Sequence, residues 1–163
     1  FAGKLLAHSA MLEDKHVTWF PSYGAEIRGG TANCTVIISD EMIGSPIVNR
    51  TNALLIMNDA SMERFEPKLK PSGLLIMNTS LIRKPPKRSD IEIIGIKATD
   101  IAKELGNSQT ANMVMLGALI EKTSILSRKT IFNSLQEIIP EYRKKAIPLN
   151  KKAFEKGAEE IAD

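Results

Sequence analysis

Cysteine is almost missing from these 163 residues; Cys34 is the only one. A single thiol cannot close an internal disulfide, hold an iron–sulfur cluster or build a cysteine-based zinc site within one chain, and a reducing, cytoplasmic compartment is the natural expectation. Histidine is nearly as scarce. His8 and His16 lie beside helix or turn sequence, with no third ligand at a usable spacing, so metal binding is not expected. No apolar run reaches the ~18 residues that suggest a membrane span, the stretch Met113–Ile120 included. Motifs of self-contained catalysis are lacking too. There is no G-x-G-x-x-G, no Walker-type phosphate loop, no GDG-type magnesium and diphosphate segment, and no serine in a nucleophile-elbow context. A free-standing hydrolase or kinase is therefore disfavoured.

Strong charge of one sign is absent as well, the formal net charge being +3. The densest basic run, Arg83, Lys84, Lys87 and Arg88, is split by Pro85 and Pro86 and has no interleaved aromatic to stack on bases. It reads as a solvated loop, not a nucleic-acid surface. The sequons at Asn33, Asn49 and Asn78 read as polar turns or strand ends. Apolar residues make up 43% and charged residues 25%, a balance that suits one soluble globular domain spanning residues 1–163.

What is present is a strand-first α/β pattern. Ala2–Leu12 is helix-like, with Leu5, Leu6 and Leu12 near one face. Val17–Phe20 is a short β-branched and aromatic run stopped by Pro21, and Asn33–Ser39 a second strand. Leu54-Leu55-Ile56-Met57-Asn58 recurs as Leu74-Leu75-Ile76-Met77-Asn78. Each copy is apolar on both faces, which predicts strands of a parallel sheet covered on both sides. Shared strand composition accounts for the identity without an internal repeat. Asp59–Glu66 opens on a capping-type residue and stops before Pro67, giving a short crossover helix. Ile91–Ile96 is a further strand, and Thr99 is expected to cap a helix ending near Gly106. Thr110–Leu126 is nearly all apolar, as a buried helix would be. Gly117 in its middle costs about 1 kcal/mol against alanine, so another backbone should approach it closely. Ser127–Ile139 is an amphipathic helix ended by Pro140. Asn150–Ala162 is a charged last helix packing through Ala153, Phe154 and Ile161. The sum is a three-layer, Rossmann-like α/β domain with a mostly parallel sheet.

Chemistry concentrates in one segment, Pro21-Ser22-Tyr23-Gly24-Ala25-Glu26-Ile27-Arg28-Gly29-Gly30-Thr31-Ala32-Asn33-Cys34. Its glycines permit positive φ and close approach by a ligand or partner backbone, while Tyr23, Glu26 and Arg28 offer a hydroxyl, a carboxylate and a planar guanidinium. A plain turn in which Glu26 pairs with Arg28 fits the same residues. Cys34 has too few basic neighbours for an activated thiol and is read as a buried strand residue.

That segment, followed by Val36-Ile37-Ile38-Ser39 and Ile43-Gly44-Ser45-Pro46-Ile47-Val48, resembles the gamma subunit of the 2-oxoacid:ferredoxin oxidoreductases and the gamma-type domain of their single-chain forms. The resemblance runs on through Asn78, the Ala111–Leu119 helix and the charged C-terminal helix. It implies an enzyme subunit that is not catalytic alone and binds no cofactor alone. Alpha and beta subunits would hold thiamine diphosphate and magnesium, and a ferredoxin-like delta subunit and iron–sulfur clusters would complete a complex that converts a 2-oxoacid to acyl-coenzyme A. Self-association of the isolated chain is a further possibility, and no nucleic-acid or membrane partner is implied.

By the same resemblance, Ser22, Tyr23, Gly24, Glu26, Arg28, Gly29, Gly30 and Asn33 should lie at the subunit interface near coenzyme A, Arg28 pairing with a partner carboxylate or a coenzyme phosphate. The wording of the loop is most similar to the 2-oxoglutarate branch, with pyruvate open and an indolepyruvate type as a third reading. Family members open with a strand and a glycine-rich loop ahead of the Ala2-Gly3-Lys4 segment. Those residues are not in this sequence: if they are merely omitted the fold expectation stands, and if they are truly deleted the sheet would lack a central strand and any phosphate-type contact of that loop. The alternative of another class is a stand-alone nucleotide- or coenzyme A-binding α/β module.

Overall fold

The computed structural model of the chain describes residues 1–22 and 32–162. In order, the elements are α1 (Ala2–Leu12), β1 (His16–Ser22), β2 (Asn33–Ser39), β3 (Thr51–Ile56), α2 (Asp59–Phe65), β4 (Leu69–Asn78), β5 (Glu92–Ile96), α3 (Ala98–Glu104), α4 (Ala111–Thr123), α5 (Arg128–Ile138) and α6 (Ile147–Ala162), with short 3-10 turns between some of them. They fall into two units. One comprises Phe1–Val48 with Ile125–Ile147, the other Asn49–Ser124 with Pro148–Asp163.

The second unit carries the parallel sheet expected for an α/β chain, in the order β3-β4-β5. Successive residues of a strand face opposite ways, and β4 shows both faces in use. Leu75 and Met77 pack with Ile56 of β3, Met62 of α2, Leu69 and Ile82. Leu74 and Ile76 face away from that cluster and are buried too, and α4 packs against β4. The repeated pentapeptide therefore has two fates. From Gly73 to Asn78 every residue of β4 is buried, whereas most of β3 is only half-buried. The expectation that both copies are covered on both sides holds for the central strand alone, because a strand flanked on one side by β4 leaves its other side without a pairing strand among the described residues.

Helix ends differ from expectation in an instructive way. Asn58, not Asp59, caps α2, its side-chain oxygen accepting from the Ser61 N–H at 2.9 Å. Thr99 does not cap α3. Its own N–H is capped from outside by the Asn78 side chain at 3.3 Å, and the next N–H, of Asp100, donates to Ser80 Oγ at 3.1 Å. Side chains at the end of β4 and just beyond it thus fill the role a local cap would have had.

The apolar α4 is buried from Met113 to Ile120. A Cβ on Gly117 would overlap the Phe154 carbonyl oxygen, and a Cβ on Gly157 the Val114 carbonyl oxygen, so α4 and α6 touch backbone to backbone at reciprocal glycines. Gly117 was expected to meet a backbone; its counterpart Gly157 was not foreseen. α6 begins three residues before the expected start, with Pro148 in the first turn where its missing N–H costs nothing.

In the first unit β1 and β2 form an antiparallel ribbon, a two-stranded sheet separate from the parallel one. Both α5 and the ribbon pack on α1. β1 runs past its expected end and includes Pro21, which an edge strand tolerates.

Candidate functional site

The register of the ribbon decides where the polar loop begins and ends. Trp19 faces Val36, Phe20 faces Thr35, Pro21 faces Cys34, and the final pair is Ser22 with Asn33. Of the expected site residues, Ser22 and Asn33 are thus paired partners, both half-buried. Tyr23, Gly24, Glu26, Arg28, Gly29 and Gly30 lie outside the described residues. The loop's two ends leave and re-enter the ribbon at one place, so it joins antiparallel strands, unlike the strand-to-helix loops at the ends of a parallel sheet.

One face of the ribbon is set by α1. A Cβ on Gly3 would overlap Cys34 Sγ and lie 3.5 Å from both Trp19 Nε1 and Val36 Cγ2, so the absence of a side chain at Gly3 lets the helix approach the strands. Phe20, on the other face, is 61% exposed, an unusual state for a phenylalanine in a strand. Cys34 is exposed as well, which corrects its reading as buried. Among the described residues no third strand pairs with the ribbon, so its margins are open, which strand sequence alone does not reveal. At the far end of the ribbon, Lys15 pairs with Asp40, and that hydrogen bond and charge raise the lysine pKa above its ordinary value.

A serine, a histidine and a carboxylate meet in the same unit. His8 Nδ1 is 2.8 Å from Ser134 Oγ, and His8 Nε2 is 3.6 Å from Glu137 Oε2. The grouping resembles a catalytic triad in composition only. Ser134 is completely buried and its hydroxyl also reaches the Leu5 carbonyl at 3.5 Å, so no substrate carbonyl can approach it. The cluster ties α1 to α5. Sequence reading missed it because His8 and Ser134 are 126 residues apart, and no local spacing announces such a pair.

A second tie joins the same helices. The Glu13 carboxylate accepts from the Ser127 N–H at 2.8 Å, at the start of α5. Burial by itself would raise the Glu13 pKa. Hydrogen bonds from the Ser127 N–H and the Thr130 and Ser127 hydroxyls, with the Lys15 charge, outweigh it and hold the carboxyl below its ordinary value.

In the second unit, the C-terminal ends of the parallel strands, where α/β folds often bind ligands, are occupied by internal contacts. The buried Asn78 amide donates to Thr99 Oγ1 at 2.8 Å and to the Met57 carbonyl at 3.4 Å. Among the described residues no three His, Cys, Asp or Glu side chains come close enough together to hold a metal ion.

Comparison with known proteins supplies what these contacts cannot. Residues 1–160 match the family described as pyruvate ferredoxin/flavodoxin oxidoreductase. The ketoisovalerate oxidoreductase subunit VorA of Methanothermobacter marburgensis is 33% identical over 157 residues, covering 96% of this chain and 33% of the relative. The chain thus spans about a third of the length of that relative. The crystal structure of the keto/oxoacid ferredoxin oxidoreductase gamma subunit from Geobacter sulfurreducens PCA superposes with a TM-score of 0.84 at 27% identity, covering 99% of this chain and 89% of that one. A chain of the 2-oxoglutarate:ferredoxin oxidoreductase from Magnetococcus marinus, solved with 2-oxoglutarate, coenzyme A and succinyl-CoA bound, shares the fold at a TM-score of 0.89 and 24% identity; the match covers 99% of this chain and 28% of that one. With one family profile spanning nearly every residue and a gamma-subunit structure matching along the same length, the chain belongs to the pyruvate ferredoxin/flavodoxin oxidoreductase family.

Proposed function

We propose that residues 1–163 act as one gamma-type domain of a thiamine-diphosphate-dependent 2-oxoacid:ferredoxin oxidoreductase. In this reading the complex decarboxylates a 2-oxoacid oxidatively, transfers the acyl group to coenzyme A and passes the electrons through iron–sulfur clusters to ferredoxin. The observation that carries it is the match to a gamma subunit over 99% of the chain, together with a family-type loop whose described ends, Ser22 and Asn33, are paired at the end of one ribbon.

No residue of this chain is assigned to thiamine diphosphate or its magnesium, and among the described residues no three His, Cys, Asp or Glu side chains come together. No step through that cofactor is assigned to them, and partner chains are its proposed holders. The work proposed for this chain is recognition. Arg28 pairs with a partner carboxylate or a coenzyme A phosphate through its planar donor fork, and Tyr23 and Glu26 hold the loop by hydrogen bonds. Support for coenzyme A comes from the Magnetococcus enzyme, whose fold this chain shares. Among substrates, 2-oxoglutarate is favoured by the loop wording, while the name of the VorA relative brings ketoisovalerate beside it.

The test is steady-state kinetics of the assembled complex carrying Arg28→Ala. The expected result is a coenzyme A KM raised at least about tenfold, the scale of one lost charge-assisted contact, with assembly intact. Unchanged coenzyme A kinetics, or turnover by the isolated chain, would defeat the reading. Micromolar binding of coenzyme A to the lone chain would favour the stand-alone module instead. Turnover of 2-oxoglutarate, pyruvate and 2-ketoisovalerate side by side decides the substrate.

A further inference from the structure

Residues 79–91, between β4 and β5, form a surface that the proposed function does not use. A connection of this length without regular structure is ordinarily loose. Here it is tied to the segment that precedes β4. The Arg83 and Lys84 N–H groups donate to Asp59 Oδ1 at 3.1 and 3.4 Å, and the Lys87 and Arg88 N–H groups donate to Glu66 Oε1 at 2.6 and 2.9 Å. Glu66 is itself buried, and Ile82 is anchored in the apolar cluster beneath. The loop that sequence reading left as merely solvated is therefore held in place.

Holding it this way has an electrostatic consequence. Residues 59–90 contain seven basic and four acidic side chains, and all four acids are already engaged. Asp59 and Glu66 face backbone donors, Glu63 pairs with Lys84 at 2.6 Å, and Asp90 pairs with Arg88 at 2.5 Å. Arg83 and Lys87 are exposed; the Lys87 charge acts on Glu63 at longer range, with no hydrogen bond or close ion pair holding either side chain among the described residues. Lys84 is 66% exposed despite its pair.

We propose that this fixed cationic loop is a docking surface for an acidic protein, one presenting a patch of aspartate and glutamate. The geometry of the loop separates this from other anions. A phosphate or nucleotide site needs backbone N–H groups converging on the ligand, and the four such donors described here point at Asp59 and Glu66 instead. Single-stranded nucleic acid needs open aromatic faces, yet the half-buried Phe65 ring already has the Arg64 guanidinium 5.3 Å and the Lys68 ammonium 5.4 Å from its centroid. What remains on offer is side-chain charge on a pre-ordered loop. That suits carboxylates on a folded partner, because complementary surface charge steers association and little ordering is left to do on binding.

The proposal does not depend on the oxidoreductase reading, and its test uses the purified protein with a fluorescein-labelled poly-L-glutamate probe followed by anisotropy. Binding at low ionic strength should weaken at least about fivefold in the double variant Arg83→Gln/Lys87→Gln and fall steeply with added salt. The control Lys129→Gln/Lys145→Gln, which removes two exposed cations elsewhere, should bind like the unsubstituted protein. Thermal melts check that both variants are folded. Absence of probe binding, an equal loss in the control, or tighter binding of a single-stranded oligonucleotide of the same charge would each overturn the proposal.

Discussion

Replacing Gly117 or Gly157 by alanine gives a test in which two physical arguments predict opposite signs. Both residues are inside helices, where alanine is intrinsically better by about 1 kcal/mol, so propensity alone predicts stabilisation. The contact between α4 and α6 predicts the reverse. Besides overlapping a carbonyl oxygen, a Cβ at Gly117 would stand 2.8 Å from the Phe154 carbonyl carbon and 3.1 Å from its Cα. At Gly157 the corresponding distances, to Val114, are 2.6 and 2.9 Å. The obstructing atoms are helical backbone, so no rotamer change relieves the clash, and the helices must separate by roughly 1.5 Å to restore contacts near 3.5 Å. That separation loosens the packing around the completely buried Phe154. Overpacking typically costs 1–3 kcal/mol, and an unyielding backbone puts these sites at the upper end. After the helix-propensity gain, a net loss of about 2 kcal/mol remains, or a Tm lower by roughly 4–8 °C for a chain of this size. Calorimetry or a circular-dichroism melt reads it. The double variant should cost clearly less than the sum of the singles, because helices already pushed apart by one methyl accommodate the second more easily. Either single variant melting at or above the parent temperature would refute the reasoning.

Two further outcomes follow from the same structure. The equivalent asparagines of the repeated pentapeptide should tolerate alanine very differently: Asn58→Ala removes one exposed cap, about 1 kcal/mol, whereas Asn78→Ala strands partners on the buried Thr99 and the half-buried Met57 and should cost about 2–4 kcal/mol in urea denaturation. Equal costs would show that β3 and β4 end in equivalent surroundings. Glu13 should couple stability to pH. Its folded-state pKa is depressed, so its contribution is fully present above the unfolded-state value near 4.3 and is lost as pH falls through the lower folded value. The stability gap between parent and Glu13→Gln should therefore be flat near neutrality and close below about pH 4.3, and a gap that widens on acidification would contradict the assigned hydrogen bonds.

Local pattern was enough to locate most of the elements. Ala2–Leu12 and Asn33–Ser39 appear with the expected bounds, and α4 and α5 start or stop within a few residues of theirs, because apolar periodicity, Ser127 as a cap and Pro140 as a stop act within a turn or two of the chain. The parallel character of the central sheet was legible for the same reason, in strands with no polar face. So was the close approach at Gly117, since a glycine inside a buried helix has little other use. The loop with the family's polar and glycine residues was equally visible, although most of it lies outside the described residues.

What tertiary structure alone decided is where identical or isolated residues end up. Leu-Leu-Ile-Met-Asn cannot itself tell a half-buried edge strand from a fully buried central one; its neighbours across the sheet do that. Pairing β1 with β2 into a separate antiparallel ribbon, which exposes Cys34 and Phe20, depends on which strand edges meet. Likewise the bond of His8 to Ser134, the cap that Asn78 provides for α3 and the reciprocal glycines 117 and 157 join residues far apart in the chain. Short-range propensities act over a few residues, whereas these contacts exist only once packing has brought distant segments within hydrogen-bond or van der Waals reach.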